Sequence, residues 1–453
     1  MAWRHGRDRR GDGRGAPGGP GPAVPPRPAF PPTVGVPPPV PHPAAPRSGG
    51  NRPYAPQAVD AATVDAVNAL SARWASRFTA PEEGTAFGAV GLWPLLAFLA
   101  GAAREGAVRD ELADAVGVGA DEAPDRGRAV MTALDGQPGL STALGVWTRE
   151  QVRLHQQWVA RLPPGTLGRL TGDPAADRAA LDAWAARRTR GLIPAMPVVS
   201  GPAVMMVLAS ALTVRTRWQR AFTPSPLRAA SGPWAGRTDL PGLTRSGPDL
   251  DEVRVAEAPG GPLTVYEVRG DNGIDVHLLL GAPDAVPGAV LDAGVRVLAG
   301  ECATVPGSRL PAGRPGPGLT LGEIDAAEPL DRIRLDTAPF RIGAEHDLLG
   351  RPALFGLAAA ATADERGHFP GATGFPLVIG QARQAVRAEF GAEGFEAAAV
   401  TALAMPPGGA PPASAYRARL LRADLTRPFG FLAVRRADRL VLTAGWVPVP
   451  AQV

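Results

Sequence analysis

The stretch Glu393-Gly394-Phe395-Glu396-Ala397-Ala398-Ala399-Val400-Thr401-Ala402 decides how this chain is read. It is a run of small residues that opens on a glycine and leads into a segment holding Pro406, Pro407, Gly408, Gly409, Pro411 and Pro412. Alanine is the best helix former, so composition alone favours a helix here. Small side chains have a second use, because they can enter a close-packed sheet that has no room for large ones. Downstream, Arg427-Pro428-Phe429-Gly430-Phe431-Leu432 opens two apolar runs, Phe429 to Val434 and Leu440 to Thr443, which continue into Ala444-Gly445-Trp446-Val447 and read as a pair of closing strands.

Upstream, helical patterns come first. Val64, Val67, Leu70, Trp74 and Phe78 recur at helical spacing within 59–78. Residues 92–103 are apolar enough for a buried helix, and 108–116 for a short amphipathic one stopped by Gly117. Residues 175–190 set Leu181, Trp184 and Ala185 on one face and Arg187, Arg188 and Arg190 on the other. Strand patterns dominate afterwards. Val204 to Leu208 is an unbroken apolar run, as in a strand buried on both faces. The segments 263–268 and 274–280, joined by Gly270-Asp271-Asn272-Gly273, read as a hairpin. Helices followed by strands predict an α+β arrangement.

The 453 residues include 51 Pro and 56 Gly, and every basic residue is Arg, a bias that fits a GC-rich genome. Residues 1–55 are Pro, Gly, Ala and Arg with almost no apolar periodicity and are expected to be disordered. Residues 1–52 hold eight Arg against Asp8 and Asp12, while the remaining 39 basic and 41 acidic residues nearly cancel. The basic pI therefore belongs to the tail, and nothing in the remainder predicts nucleic-acid binding. No apolar run is long enough to predict a membrane span. The single cysteine, Cys302, excludes an internal disulfide and is expected to be a buried, inert thiol. No export signal is visible, which gives a cytoplasmic default.

Enzyme signatures are missing. There is no Gly-x-Ser-x-Gly elbow, and a phosphate loop needs a lysine that the chain lacks. The six histidines are scattered without metal-ligand spacing. The pair His346-Asp347 is expected to be a loop or capping pair rather than a general base. We therefore expect no catalytic residues, no metal and no cofactor.

Several segments, in order, resemble those of the serpin family of serine protease inhibitors. Leu181-Asp182-Ala183-Trp184 with Thr189-Arg190-Gly191-Leu192-Ile193 is similar to the family's Ile-Asn-x-Trp-Val…Thr-x-Gly-Lys-Ile. Ala209 to Phe222, carrying Trp218 and Phe222, resembles Asn-Ala-Ile-Tyr-Phe-Lys-Gly-x-Trp. Pro339-Phe340-Arg341-Ile342 with His346-Asp347-Leu348 resembles the segment before the family's hinge, and Pro428-Phe429 the one after its loop. The resemblance covers about 57–450 and fits a divergent, actinomycete-like bacterial member.

It implies an α+β serpin-like fold over 56–453: an N-terminal helical region, a large central mixed sheet, further sheets and an exposed reactive loop at about 392–424. It implies a hinge at Glu393, Gly394, Phe395, Glu396, Ala397, Ala398, Ala399, Val400 and Thr401, and a suicide-substrate mechanism in which the cleaved loop enters the main sheet. The family's spacing from the hinge glycine puts the reactive bond at Gly408-Gly409. Two glycines there imply an elastase-like or subtilisin-like serine protease as partner, with the inhibitor a monomer. Arg417 and Arg419 look like trypsin sites, but cleavage there would draw four prolines into the sheet. Family members are often extracellular, which leaves the location open.

Three departures from the family pattern stand out. Its buried Ser-Pro-x-Ser appears as Gly88-Ala89-Val90-Gly91, its central Asn falls on Ser210, and Phe395 stands where inhibitory members carry Thr or Ser. They support an alternative, a non-inhibitory binding or scaffold protein on the same fold whose loop inserts poorly.

Overall fold

Seven helices are present among the described residues of the computed structural model, which are 58–198, 201, 204–395 and 416–451. The tail expected over 1–55, the hinge residues Glu396 to Thr401 and the bond Gly408-Gly409 lie outside them. Helix α1 (Ala61–Ala75) starts at Asp60, whose carboxylate accepts the Thr63 N–H at 3.0 Å, and buries Val64, Val67, Leu70 and Trp74 as their spacing predicts. Helix α2 (Trp93–Ala100) is buried on every side. Helix α3 (Ala107–Val116) stops at Gly117, whose φ of 69° takes the left-handed conformation that closes a helix. Helices α4 (Ala123–Asp135) and α5 (Gln156–Val159) follow. Helix α6 (Pro174–Arg188) is capped by Asp173 and buries Leu181, Trp184 and Ala185. Helix α7 (Pro287–Ala299) follows much later.

Three sheets make the rest, with strands numbered along the chain. The first contains β1 (Thr85–Phe87), β8 (Val253–Ala258), β9 (Gly261–Val268), β10 (Ile274–Leu280), β11 (Thr304–Pro306), β18 (Phe429–Arg435) and β19 (Leu440–Val447), in the order β1-β19-β18-β10-β9-β8-β11. Both hairpins expected from sequence are in it, β9–β10 and β18–β19.

The second contains β6 (Thr223–Pro224), β7 (Leu243–Gly247), β12 (Leu319–Ala326), β13 (Arg332–Thr337) and β17 (Tyr416–Asp424), in the order β12-β17-β13-β7-β6. This corrects the loop boundary expected at 424. Tyr416 to Asp424 is an inner strand, antiparallel to β12 and parallel to β13, and buries Ala418, Leu421 and Ala423.

The third, central sheet contains β2 (Leu140–Arg149), β3 (Leu167–Leu170), β4 (Met206–Val214), β5 (Thr216–Arg217), β14 (Phe340–Asp347), β15 (Gln381–Phe390) and β16 (Gly394–Phe395). Its order is β3-β2-β4-β15-β16-β5, with β14 on the other edge of β15. β4 is buried at all nine positions, as the apolar run at 204–208 predicts. One face of the sheet meets the main core. The other packs Val207, Ala209, Ala211 and Ala385 against Trp147, Leu181 and Trp184 beneath α6.

Candidate functional site: the sheet seam and its hinge

β4 and β15 are parallel neighbours that connect to each other only through a long excursion of chain. Their pairing runs from Val207 opposite Gln381 to Thr213 opposite Arg387. Above this seam β15 continues to Phe390, the chain turns at Gly391-Ala392, and Gly394-Phe395 returns as β16. Phe395 lies antiparallel to Phe390 on one side and to Thr216 on the other, and Gly394 faces Arg217. β5 continues the line of β4, so these two hinge residues sit between the two strands at the top of the seam.

The turn is held by residues that the sequence singled out. The Trp218 backbone N–H donates to the Glu393 carbonyl at 3.0 Å and its indole N–H to the Gly391 carbonyl at 2.9 Å; the Phe222 N–H donates to the Ala392 carbonyl at 2.9 Å. A Cβ on residue 394 would stand 2.3 Å from the Thr216 carbonyl oxygen, so only glycine lets β16 come this close to β5. Phe395 is 1% exposed. Its ring lies 5.9 Å from Phe431 and 6.4 Å from Phe340, which stacks on Phe390 at 5.3 Å, and Phe390 meets Trp218 at 4.8 Å and Phe222 at 5.5 Å. The sequence marks Phe395 only as a departure from the Thr or Ser of inhibitory members. The structure places it inside the sheet, as one ring of an aromatic cluster walled by Phe340 and Phe390 on β14 and β15. Phe340 belongs to a segment that the resemblance singled out, whereas Phe390 carried no signal beyond its apolar character.

Halfway down the seam, Ser210 and Gln384 face each other across β4 and β15, both fully buried. The Ser210 hydroxyl donates to the Gly91 carbonyl at 2.6 Å. The Gln384 amide makes a reciprocal pair with Gly88, donating to its carbonyl at 2.9 Å and accepting its N–H at 3.0 Å. Each strand is thus tied to the turn that precedes α2. A Cβ on residue 88 would stand 2.5 Å from a Leu212 methyl and 2.7 Å from the Leu442 carbonyl. The polar side chains of this junction come from the sheet because position 88 of the turn has no room for one.

The chain matches solved structures across most of its length. These include a thermophilic serpin, tengpin, in its native state, with a TM-score of 0.65, 13% identity and coverage of 86% of this chain and 95% of that one. The fold is the serpin fold. Thyroxine-binding globulin in complex with thyroxine (TM-score 0.62, 16% identity, covering 86% of this chain and 99% of that one) and mouse protein Z-dependent protease inhibitor (0.61, 13%, 86% and 97%) are similar in the same way. No protein-family model and no curated protein matches the sequence.

On this serpin fold, the far side of the 396–415 segment is fixed. Arg417 pairs with Glu323 and Asp325 of β12 at 3.0 and 2.9 Å. Arg419 pairs with Asp331 at 2.8 Å, and its backbone N–H donates to the same carboxylate at 2.8 Å. Below the hinge turn, Arg220 and Arg245 share the Glu252 carboxylate, which also accepts the Tyr266 hydroxyl at 2.5 Å. Burial pushes the Tyr266 phenol well above its ordinary range, so it stays a donor.

The remaining sequence candidates lie apart from the seam. His346 and Asp347 at the end of β14 do not pair. The His346 Nε2 is 2.8 Å from the Ala86 carbonyl and burial lowers its pKa, whereas Asp347 accepts the Leu349 N–H at 3.1 Å and pairs with Arg383. Cys302 is half-buried instead of fully buried, and burial, helped by Glu301, pushes its thiol up and away from the reactive thiolate.

Proposed function

We propose that this chain is a serpin-type inhibitor of a serine protease, acting as a suicide substrate whose cleaved loop becomes a new strand between β4 and β15. The observation that carries the reading is the register of β16. Phe395 stands opposite Phe390 and Thr216. Continued down the seam, that register sets Ala397 opposite Ala388 and Val214, and Ala399 opposite Val386 and Leu212. It then sets Thr401 opposite Gln384 and Ser210, Leu403 opposite Ala382 and Leu208, and Met405 opposite Gly380 and Met206.

Ala399 falls between the branched walls of Val386 and Leu212, and the Thr401 hydroxyl falls on the Ser210–Gln384 rung. The other face brings Val400 between Ala385 and Ala211, beneath α6. Met206 is the first residue of β4, and Pro406 and Pro407, which cannot join a central ladder, come next in the loop. The insertable length of the loop equals the length of the sheet.

In this mechanism the protease serine attacks the carbonyl of Gly408. The Gly408–Gly409 amide bond breaks, the new amine at Gly409 leaves with the proton relayed by the protease, and an ester joins Gly408 to the protease. Insertion must outrun hydrolysis of that ester. Phe395 is already seated before cleavage; the next demand is parting β4 from β15, first at Thr213–Arg387 and then through the Ser210–Gln384 rung.

Incubation with an elastase-like protease, followed by a denaturing gel and sequencing of the released amino terminus, tests the reading. A covalent complex and a sequence starting at Gly409 are expected. Cleavage only at Arg417 or Arg419, or turnover without complex, contradicts it.

A second reading, a non-inhibitory binding protein, has the likeness to thyroxine-binding globulin in complex with thyroxine behind it. It also has a cavity of about 240 Å³ between the end of α7 and β8–β10. There Arg254, paired with Glu267, Arg436, paired with Asp275, and Arg439 surround His277, whose buried Nδ1 has no partner among the described residues. Under this reading Phe395 is an anchor that stops insertion, and replacing it leaves protease inhibition absent.

A further inference from the structure

A cleft of about 570 Å³ opens between α4, the first half of β2 and the segment linking α5 to β3. That volume falls within the range of about 300–1,000 Å³ typical of small-molecule sites. α4 contributes Arg128, Met131, Thr132 and Asp135, whose three- and four-residue spacing places them on one helix face. The floor is apolar, built by Met131, Ala143, Leu144, Leu162 and Pro163.

The rim is cationic: Arg128, Arg161 and Arg188 stand against the single carboxylate Asp135. The Arg161 side chain has no ion pair or hydrogen bond among the described residues, and the carboxylate paired with Arg128, Asp125, is 3.8 Å away. Among the described residues, Arg188 donates only to the Pro164 carbonyl, at 3.2 Å.

A second feature points the same way. β3 pairs with β2 only from Val146 onward, which leaves the edge at Thr142 to Leu144 without a neighbouring strand. The Val146 N–H points outward to the Thr166 carbonyl at 2.8 Å. The two-residue alternation of a strand therefore turns the Leu144 and Thr142 N–H groups in the same direction, into the cleft. Three residues span only about 10 Å, too short for a peptide to dock as an added strand. The combination of an apolar floor, unpaired guanidinium groups and free N–H donors suits one small molecule with an apolar body and a single acid group.

We infer that this cleft binds a small amphipathic carboxylate, its tail on Met131 and Leu144 and its acid group between Arg161 and Arg188. The inference needs no loop chemistry and stands apart from the inhibitor reading. Titration calorimetry of dodecanoate into the intact chain tests it. One saturable site is expected, weakened about tenfold or more in an Arg161→Ala/Arg188→Ala variant and also in Met131→Glu, and unchanged in Arg187→Ala. Thermal melting of each variant identifies any that fails to fold, and the exposed arginine changes should leave melting unaltered. Absence of saturable binding overturns the inference, as does equal binding by all variants. Full competition by sodium sulfate that persists in Met131→Glu also overturns it, because the site would then recognise a bare anion.

Discussion

The two ends of the segment between Phe395 and Tyr416 are held in opposite ways. At the near end, β16 lies between two strands that need not stay together, and its hold is mainly one ring in an aromatic cluster. At the far end, β17 is an inner strand with a ladder on each side, and its arginines are paired to acids on β12 and Asp331. Extracting β17 would break two ladders. Advancing β16 breaks one ladder and makes two. The asymmetry gives any insertion a direction, from Phe395 down the seam, with Tyr416 as the fixed point.

The largest effect should come from spoiling the track ahead of β16. Ala399→Arg would place a charge opposite Val386 and Leu212, where an unpaired buried charge costs several kcal/mol. Cleavage by an elastase-like protease should then proceed without a covalent complex. A complex formed in normal yield would break the register argument.

Next comes the polar rung. Gln384→Ala leaves the buried Gly88 N–H unpaired, at about 1–3 kcal/mol, while the Gly88 carbonyl keeps the Gly91 N–H at 3.1 Å. Urea unfolding of the intact chain should show a loss of about 1–3 kcal/mol; an unchanged stability would mean that the rung does not hold the seam.

Phe395→Thr should remove about 1.5–3 kcal/mol of burial from the near end. Under the inhibitor reading, in which Phe395 seats β16 before cleavage, it lowers the ratio of complex to turnover, measured on gels; no change favours the binding-protein reading.

The smallest effect belongs to the clamped end. Asp331→Asn removes one half-exposed ion pair, worth about 0–1 kcal/mol, and trypsin should still fail to cut at Arg419 because the ladders remain. Rapid cutting there would show that β17 is held by charge more than by the sheet.

Much of this frame is legible in the sequence. α1 and α6 show their buried faces as helical spacing, and β9–β10 and β18–β19 show theirs as paired apolar runs. α7 escaped notice because Pro287, Gly288 and Gly294 interrupt a pattern otherwise carried by Val290, Leu291, Val295 and Val297. β17 escaped because its partner β12 lies far upstream and its alternation of Arg with Ala and Leu resembles a polar loop when read locally. The hinge glycine and Phe395 could be singled out from sequence, but the state of Phe395 could not. That depends on Phe340, Phe390 and Phe431, three residues from three strands that only the fold brings together. The Gln384–Gly88 pair was hidden in the same way, since the family pattern directed attention to serines that this chain replaces with glycine.

The most direct test of the seam is the melting temperature of the chain before and after limited cleavage within 406–415. If the segment from Phe395 to Met405 becomes a central strand, cleavage raises the melting temperature by more than about 10 °C, at roughly 2–4 °C per kcal/mol or less for a domain of this size. An unchanged or lowered melting temperature would mean that the severed segment stays out of the sheet, and the account of β4 and β15 as an opening seam would be wrong.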